Sequence, residues 1–409
     1  MREGFSFEVE TRLQGTLART GVLKTPHGEV RTPVYCPVGT CATVKALDAD
    51  ELEAAGAQMI LANTYHLLLR PGPDRVRELG GLHDFMSWRR PTFTDSGGFQ
   101  AFSLGYGKEH GVGKIGGVFP VTGEGPQPPS RGKHAVEYTR MAHIDEDGVT
   151  FRSHLDGSMH RLNPEISIGI QQKLGADIIV AFDECTSPLS DHAYTRRAME
   201  RTHRWAGRCL EAHGPEHRQA LLGIVQGGAY EDLRRESTEV IASMPFDGFA
   251  IGGSLGKTKD EMLQVLEWTV PGLPDGRFRH LLGIGDVDDL FECVERGVDS
   301  FDCVIPTRFA RHGTLFVSYE HASKRRFRIN INNAQYGADR RPIEPGCECP
   351  ACRRYTRAYI HHLFRAGEIL GYRLATLHNV WFMQRLMDKI RDSVAEGTFP
   401  ALKAAWLGV

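Results

Sequence analysis

The stretch that decides the fold lies between residues 177 and 253, where three short apolar runs recur: DIIVAFDE (177–184), LLGIVQG (221–227) and GFAIGG (248–253). Each run is rich in aliphatic or aromatic residues, ends in polar residues or glycine, and is followed by a helix-like stretch. Continuous apolar strands that alternate with amphipathic helices are typical of a parallel sheet covered by helices.

Five further runs of the same kind bring the predicted strands to eight: VYCPV (34–38), MILAN (59–63), TFTDS (92–96), HLLGIG (280–285) and FDCVIP (301–306). The stretch 286–297 is a typical intervening helix, because Val287, Leu290 and Val294 share one face. Eight such units predict an α/β fold of the (β/α)8 TIM-barrel class, with functional groups at the carboxyl ends of the strands. A doubly wound open sheet is the alternative. The barrel is favoured because no strand precedes GxGxxG and several strands end in polar residues.

Two segments depart from this alternation and suggest the domain organisation. Residues 1–312 are predicted to form the barrel, with a long Gly- and Pro-rich loop insertion at about 104–147. Residues 313–378 contain a cysteine cluster and are predicted to form a small inserted metal-binding subdomain. Residues 379–409 are predicted to be helical and to complete the barrel.

Composition and charge are those of an ordinary globular protein, with 409 residues, 41% hydrophobic and 24% charged residues, and a net charge of −2. A net charge this small does not exclude nucleic acid, since phosphate binding needs only a local basic surface. No apolar run approaches the ~20 residues that span a bilayer, and the first residues lack the apolar centre of a signal peptide. We therefore expect a cytoplasmic protein with no membrane association.

The strongest chemical signal is the cysteine cluster Cys347, Cys349 and Cys352. Three thiolates within six residues can converge on one Zn²⁺ ion, which binds sulfur at ~2.3 Å in a tetrahedron. The candidates for a fourth ligand are the histidines that follow: His361, His362 and His378. A fully protein-ligated ion is structural, so we expect zinc to stabilise a subdomain that has little core of its own.

Polar residues and glycines stand at the ends of five predicted barrel strands: Asp95, Asp183, Gln226, Gly252 with Gly253, and Asp302. A single aspartate here is most often a helix N-cap. Several at one barrel mouth instead predict acid–base or nucleophilic work on a substrate that needs many hydrogen bonds.

These residues lie in motifs that resemble the bacterial-type tRNA-guanine transglycosylases, also called queuine tRNA-ribosyltransferases. The motifs, in chain order, are TPVYCPVGTCATVKAL (32–47), LANTYHLLLRPG (61–72), TDSGGFQ (94–100), AFDEC (181–185), GIVQGG (223–228), FAIGG (249–253), LLGIG (281–285), FDCVIPTRFARHG (301–313) and CxCxxC with the downstream RAYIHHL and HN. The resemblance covers nearly the whole chain. It implies a barrel with an inserted zinc subdomain, usually a homodimer that acts on the anticodon loop of tRNA.

The resemblance also implies the chemistry. The family exchanges the wobble guanine of GUN-anticodon tRNAs (Asp, Asn, His and Tyr) for a 7-deazaguanine in queuosine modification. Asp302 corresponds to the nucleophile that attacks the ribose and leaves a covalent ribosyl-enzyme, and Asp95 corresponds to the general acid and base. The pairing of two carboxylates is similar to that of retaining glycosidases.

The remaining functional positions carried over by the resemblance form three groups. Base binding is implied for Asp183, Gln226, Gly252, Gly253, Phe99 and Ser96. RNA contact is implied for Arg308 and Arg311, and zinc ligation for Cys347, Cys349, Cys352 and His378. The target guanine must leave the anticodon stack to reach the barrel mouth, as in other base-modifying enzymes.

One departure from the family pattern leaves the incoming base open. The stretch 250–262 is one residue shorter than usual and has Lys257 near a position that is commonly acidic. A shorter loop would make room for queuine rather than 7-aminomethyl-7-deazaguanine.

Three alternatives to the tRNA enzyme remain at this stage. One is a related enzyme that modifies DNA. Another is a non-catalytic RNA-binding homologue, against which the retention of Asp95 and Asp302 argues. The third is an unrelated zinc-stabilised barrel enzyme that acts on a small metabolite.

Overall fold

Strands and helices alternate along the chain, and the computed structural model describes residues 4–102, 142–322 and 326–408. The strands of the described residues are β1 (Ser6–Arg12), β2 (Arg19–Thr25), β3 (Gly28–Thr32), β4 (Val34–Gly39), β5 (Ile60–Ala62), β6 (Thr92–Thr94), β7 (Ala142–Ile144), β8 (Val149–Arg152), β9 (Met159–Leu162), β10 (Ile178–Val180), β11 (Ala220–Val225), β12 (Gly248–Ile251), β13 (Phe278–Leu281), β14 (Ser300–Cys303), β15 (Thr314–Phe316) and β16 (Arg328–Asn330). The α-helices are α1 (Ala49–Ala54), α2 (Thr64–Leu69), α3 (Pro73–Glu78), α4 (Gly81–Phe85), α5 (Gly98–Phe102), α6 (Pro164–Leu174), α7 (His192–His213), α8 (Glu231–Ser243), α9 (Lys259–Thr269), α10 (Val287–Glu295), α11 (Ile305–Arg311), α12 (Pro350–Arg354), α13 (Arg357–Ala366), α14 (Ile369–Ala395) and α15 (Phe399–Leu407).

Eight strands close into a parallel barrel in the order β4, β5, β6, β10, β11, β12, β13, β14, with β14 pairing back onto β4. This confirms the predicted (β/α)8 class. Each predicted apolar run overlaps one barrel strand, although the boundaries differ by a few residues. Within the predicted run 177–184, for example, only Ile178–Val180 forms a strand. The strand that corresponds to the predicted run 280–285 begins two residues earlier, at Phe278.

The barrel interior is an apolar cluster built from alternate residues of the strands. Its members are Val34, Cys36, Val38, Met59, Leu61, Phe93, Ile178, Val180, Ala220, Leu222, Ile224, Ala250 and Phe278. The N-terminal sheet β1–β3 covers the bottom of this cluster, where Phe7 meets Phe278 edge-to-face with ring centroids 5.8 Å apart. Charged groups are therefore confined to the ends of the barrel, because burial of an isolated charge in such an interior is unfavourable.

The seam between β6 and β10 is joined mainly by a side chain, since a single Cα pair, Ile178 with Phe93, connects these strands. Gln171 of α6 is fully buried at the seam. Its Oε1 accepts from Val180 N and Thr94 Oγ1, both at 3.0 Å, and its Nε2 donates to Val180 O at 2.9 Å. The seam matters for the site because Asp95 and Asp183 follow these two strands.

The long helix α14 closes the barrel against β4. Gln384 Nε2 donates to Tyr35 O at 3.1 Å, and Arg391 Nη1 donates to Pro33 O at 2.8 Å. The helix begins at Ile369, ten residues before the helical segment predicted from 379, so His378 lies inside the closing helix itself.

Part of the predicted loop insertion has regular structure. Residues 142–144 form β7, the first strand of a three-stranded antiparallel sheet with β8 and β9. Residues 103–141, the rest of the segment, lie outside the described residues. Across the described ranges, no helix combines the length and the apolar character that a membrane crossing requires.

Candidate active site

A cavity of about 310 Å³ opens at the carboxyl ends of the barrel strands. Predicted site residues that line it are Asp95, Ser96, Phe99, Asp183, Gly253, Asp302 and Arg308. The polar strand ends predicted from the sequence therefore converge on one space, as the barrel topology requires.

Three predicted residues lie beside the cavity rather than in its wall. Gln226 stands directly behind Asp183, and its Nε2 donates to Asp183 Oδ2 at 2.6 Å. The carbonyl of Gly252 accepts from a buried arginine. Arg311 donates through Nη1 to Thr307 O at 2.7 Å, one turn back on its own helix.

Asp95 is held by donors on both carboxylate oxygens. Its Oδ1 accepts from the backbone N–H groups of Thr64 at 2.9 Å and Gly97 at 3.2 Å. Its Oδ2 accepts from Gln100 Nε2 at 3.0 Å and from Asn63 Nδ2. The donors come from the loops after β5 and β6, so two strand ends fix this carboxyl group.

Burial raises the pKa of Asp95 from its ordinary value of 3.8 to about 7, and the negative charge of Asp302 adds to the rise. The hydrogen bonds from Thr64, Gly97 and Gln100 oppose it. A carboxyl group with a pKa near neutrality can both give and take a proton at physiological pH, which suits a general acid and base.

Asp302 is held differently. Its Oδ1 accepts from Gly283 N at 2.8 Å and lies 3.2 Å from His280 Nε2. Its side chain is 13% exposed, at the floor of the cavity. A carboxyl group that reaches the cavity from a strand end and is oriented by two nearby donors is suited to nucleophilic attack.

A hydrogen-bonded group beside these carboxylates is suited to a flat polar ligand. Asp183 accepts from Ser96 Oγ at 3.1 Å and from Gln226 Nε2 at 2.6 Å. Gln226 Oε1 is buried without a hydrogen-bond partner among the described residues. Gly253 has φ +75°, and a Cβ there would stand 2.0 Å from Gln226 Oε1, so only glycine fits.

Arg234, to which no pattern in the sequence points, orders the loops that carry these groups. This residue of α8 is fully buried, and its guanidinium donates to four backbone carbonyls at 2.7–3.0 Å. The carbonyls belong to the ends of β11 and β12 and the loops that follow them: Val225, Gly228, Gly252 and Ser254. Burial lowers the pKa of Arg234 to about 9. The buried position of Arg234 is hard to predict from the sequence, because an arginine in an amphipathic helix is ordinarily expected on the face exposed to solvent.

Cys347, Cys349, Cys352 and His378 form a cluster that could hold a metal ion, with ligand atoms all within 4.8 Å of one another. His378 Nδ1 lies 3.9, 3.5 and 3.4 Å from the three sulfurs in that order. Of the three histidines left open by the sequence, His361 instead bonds Ile331 O through Nδ1 at 2.7 Å.

The tautomer of His378 suits a ligand. Its Nε2 lies 2.7 Å from Phe316 O, an acceptor only, so Nε2 carries the proton and Nδ1 presents a lone pair to the sulfurs. The next residue, Asn379, accepts from Phe316 N at 2.9 Å and donates to Pro306 O at 2.9 Å. This pair of residues joins the cysteine cluster to the helix that follows Asp302.

A second group, His27, His83 and Asp177, lies at the opposite end of the barrel. Asp177 is 2.7 Å from His27 Nδ1 and 3.2 Å from His83 Nε2. The imidazole rings stack with centroids 3.5 Å apart at 15°, so one ion cannot lie in both ring planes. The group is instead a set of hydrogen bonds that joins three segments of the chain at the bottom of the barrel. Burial opposes ionisation of Asp177, but bonds from His83, His27 and Thr92 N lower its pKa below the ordinary value.

The raised pKa of Asp95 predicts a pH-dependent gain in stability for Asp95→Asn. Because the folded state holds the proton more tightly than the unfolded chain, stability is lost as pH rises from about 4 to about 7. The asparagine variant avoids that loss, so its gain in melting temperature over wild type should be larger near pH 8 than near pH 5.

Asp177→Asn is the matched control. The pKa of Asp177 is lowered in the folded state, so its carboxylate stabilises the fold at high pH and this stabilisation is lost in acid. Asp177→Asn should therefore lower the melting temperature most at high pH and less in acid. Equal shifts of the Asp95 variant at both pH values would show that Asp95 titrates near its ordinary pKa.

Comparison with known proteins shows the family to which the chain belongs. A family model described as queuine tRNA-ribosyltransferase matches residues 14–116 and 128–408. The queuine tRNA-ribosyltransferase of Roseiflexus sp. is 49% identical over 99% of this chain and 99% of its own length. Those of Halothermothrix orenii and Herpetosiphon aurantiacus are each 50% identical, over 96% and 95% of this chain and 94% and 89% of their own lengths. With a match this complete, the chain belongs to the queuine tRNA-ribosyltransferase family.

Proposed function

We propose that this enzyme exchanges the wobble guanine of GUN-anticodon tRNAs for a 7-deazaguanine by way of a covalent ribosyl-aspartate. The observation that carries the proposal is the pair of unlike carboxyl groups in one cavity, Asp95 with a pKa near 7 and Asp302 on the cavity floor. A double displacement at a ribose carbon requires a nucleophilic carboxylate and a second carboxyl group that can give and take a proton.

In the first step, an oxygen of Asp302 forms a bond to C1′ of the ribose while the bond from C1′ to N9 of guanine breaks. The electron pair of the broken bond leaves with the base, and protonated Asp95 supplies a proton to it. In the second step, Asp95 takes the N9 proton of the incoming base, N9 attacks C1′, and the ester bond to Asp302 breaks. Each displacement inverts C1′, so the configuration is retained overall.

The outgoing and incoming bases have the same hydrogen-bonding edge. We propose that the residues around Asp183 bind this edge in both bases. The Asp183 carboxylate accepts from the N–H groups of the base, while the Gln226 amide and the backbone at Gly253 complete the edge. Phe99, in the cavity wall, stacks on the ring. Gln226 Oε1 supports this assignment, because in the described part of the chain it is buried without a hydrogen-bond donor, and such an acceptor is unfavourable until a ligand supplies one.

The RNA reaches this cavity from the side of α11. Arg308 lines the cavity and Arg311 follows one turn later, so both can contact phosphates or bases next to the flipped guanine. Because its tRNA substrate is cytoplasmic, we place the enzyme in the cytoplasm.

Zinc is the metal that the cysteine cluster suits best. A tetrahedral Cys3His site with the usual Zn–S and Zn–N lengths has S···N separations of about 3.6 Å. The separations here are 3.4–3.9 Å. All four positions are protein ligands, so the ion is structural and stabilises this part of the fold.

We also propose that the functional unit is a homodimer. Apolar side chains stand exposed at α13 and the start of α14: Tyr359 is 39%, Ile369 79% and Leu370 37% exposed. A second copy of the chain would cover them. Light scattering of the purified protein should give about twice the chain mass of 45.5 kDa, and a monomer at micromolar concentration contradicts the proposal.

Base exchange tests the function directly. Wild type should incorporate labelled guanine into a GUN-anticodon tRNA and, without free base, form an RNA adduct that survives a denaturing gel. Asp302→Asn should lower the exchange rate at least ~1,000-fold, while its tRNA affinity stays close to that of wild type. Competition by unlabelled queuine or 7-aminomethyl-7-deazaguanine identifies the incoming base.

Asp392→Asn, an exposed carboxylate on the closing helix, serves as the control and should exchange normally. Exchange by Asp302→Asn at the wild-type rate would contradict the nucleophile. An inactive wild type with bound metal, or incorporation into DNA in preference to tRNA, would contradict the proposed substrate.

Metal loss should loosen both the cysteine cluster and the helix after Asp302. Elemental analysis should find one zinc ion per chain in wild type and none in Cys349→Ser. That variant should melt at a lower temperature and exchange guanine more slowly, because His378 and Asn379 share one helix turn. Cys41→Ser, at an exposed cysteine, should retain the ion. Full zinc occupancy in Cys349→Ser contradicts the ligand set.

A further inference from the structure

We propose that His280 is a positioning residue for the nucleophile: it holds the Asp302 carboxylate through Nε2–H and is itself held by Ser300. The inference rests on the proposed role of Asp302. Beyond that role, it describes a series of hydrogen bonds that runs from Ser300 in the barrel interior through His280 to the carboxylate of Asp302.

The first observation is a break in the pattern of the barrel interior. The alternate, inward-facing residues of the other barrel strands are apolar, as is Phe278 at the start of β13. The next inward positions on β13 and β14 are His280, Ser300 and Asp302. His280 and Ser300 are fully buried, with no exposed surface. Buried polar side chains in an apolar interior require partners, and these residues partner one another.

The second observation is the geometry of the hydrogen bonds that His280 makes with Asp302 and Ser300. Asp302 Oδ1 lies 3.2 Å from His280 Nε2, and an ionised carboxylate only accepts, so Nε2 carries the proton. Ser300 Oγ lies 2.6 Å from Nδ1 and can donate to the lone pair there. A neutral imidazole therefore satisfies both contacts.

Neighbouring groups fix the geometry of the imidazole. Ser300 and His280 are paired in register between β14 and β13, so their Cα atoms are held by the strand ladder. The ring of Phe93 meets the imidazole edge-to-face, with centroids 4.7 Å apart. The imidazole cannot rotate without losing its bond to Ser300 and its packing against Phe93.

The consequence lies at the nucleophile. Asp302 Oδ1 has two donors, the side chain of His280 and the backbone N–H of Gly283. Rotation of the carboxylate about its bond to Cβ would break both bonds, so its orientation is set before the tRNA binds. Preorganisation of a nucleophile accelerates the covalent step and contributes little to binding of the RNA.

Two substitutions separate the donor from the volume it fills. His280→Leu removes the hydrogen bond and keeps an apolar side chain, whereas His280→Gln keeps an N–H donor at a similar reach. We expect His280→Leu to lower kcat for guanine exchange, and the rate of adduct formation, about 10- to 100-fold. KM for tRNA should stay within about 2-fold of wild type, and His280→Gln should recover most of the lost kcat.

Two further variants guard the test. Ser300→Ala removes the partner of Nδ1 with little change of volume and should lower kcat about 3- to 10-fold; it keeps the inference testable if His280→Leu does not fold. His213→Leu removes another fully buried histidine, outside the cavity, which bonds Gln219 O at 2.9 Å. It should lower the melting temperature and leave kcat unchanged.

Equal losses of kcat in His280→Leu and His280→Gln would overturn the inference, because they would show that the imidazole only fills space. Wild-type kcat in His280→Leu or Ser300→Ala would overturn it as well. Wild-type protein, assayed in parallel, separates this result from failure of the proposed function. Only in the latter case does wild type itself form no adduct and exchange no guanine.

Discussion

Two carboxyl groups, Asp95 and Asp302, face one buried cavity, and the unfavourable free energy of ionising both is the constraint around which the site is built. Burial and the charge of Asp302 raise the pKa of Asp95 to about 7, although hydrogen-bond donors on Asp95 work against the rise. Those donors keep the pKa of Asp95 lower than burial alone would leave it, and the charge of Asp302 keeps it higher. Opposed contributions of this kind leave Asp95 able to exchange a proton near neutral pH.

The barrel makes this balance possible because apolar side chains fill most of its interior while the polar side chains of the site meet at its mouth. Below the mouth most inward positions are apolar, with His280 and Ser300 as the polar exceptions among the described residues, so the carboxylates of the site lie at the strand ends. There, the donors for the two carboxylates come from different strand ends, Asn63 and Thr64 after β5 and Gly283 after β13. In the closed barrel, β6, which precedes Asp95, is linked to β14, which carries Asp302, through β5 and β4.

Much of this organisation is predictable from the sequence, and the features that could not be predicted have identifiable physical reasons. The strands were found because a parallel strand buried on both faces is a continuous apolar run, and Asp95, Asp183 and Asp302 were found because they end such runs. His280 was missed because the run 280–285 placed it at a strand start, whereas the strand begins at Phe278 and directs it inward. Arg234 was missed because the carbonyls that surround it belong to loops 6 to 20 residues away in sequence.

The C-terminal helix shows why the metal site and the active site should be considered together. Helix α14 closes the barrel against β4, and it also carries His378, so one rigid element belongs to both the barrel and the cysteine cluster. Phe316 is bound twice by this helix, through its carbonyl to His378 and through its N–H to Asn379, and Asn379 also holds Pro306. An ion on His378 would fix the imidazole, the imidazole fixes β15, and Asn379 fixes the start of α11, where Arg308 faces the cavity. A structural ion remote from the cavity would thus influence how the Arg308 side of the cavity is held, through the hydrogen bonds of His378 and Asn379 to backbone groups.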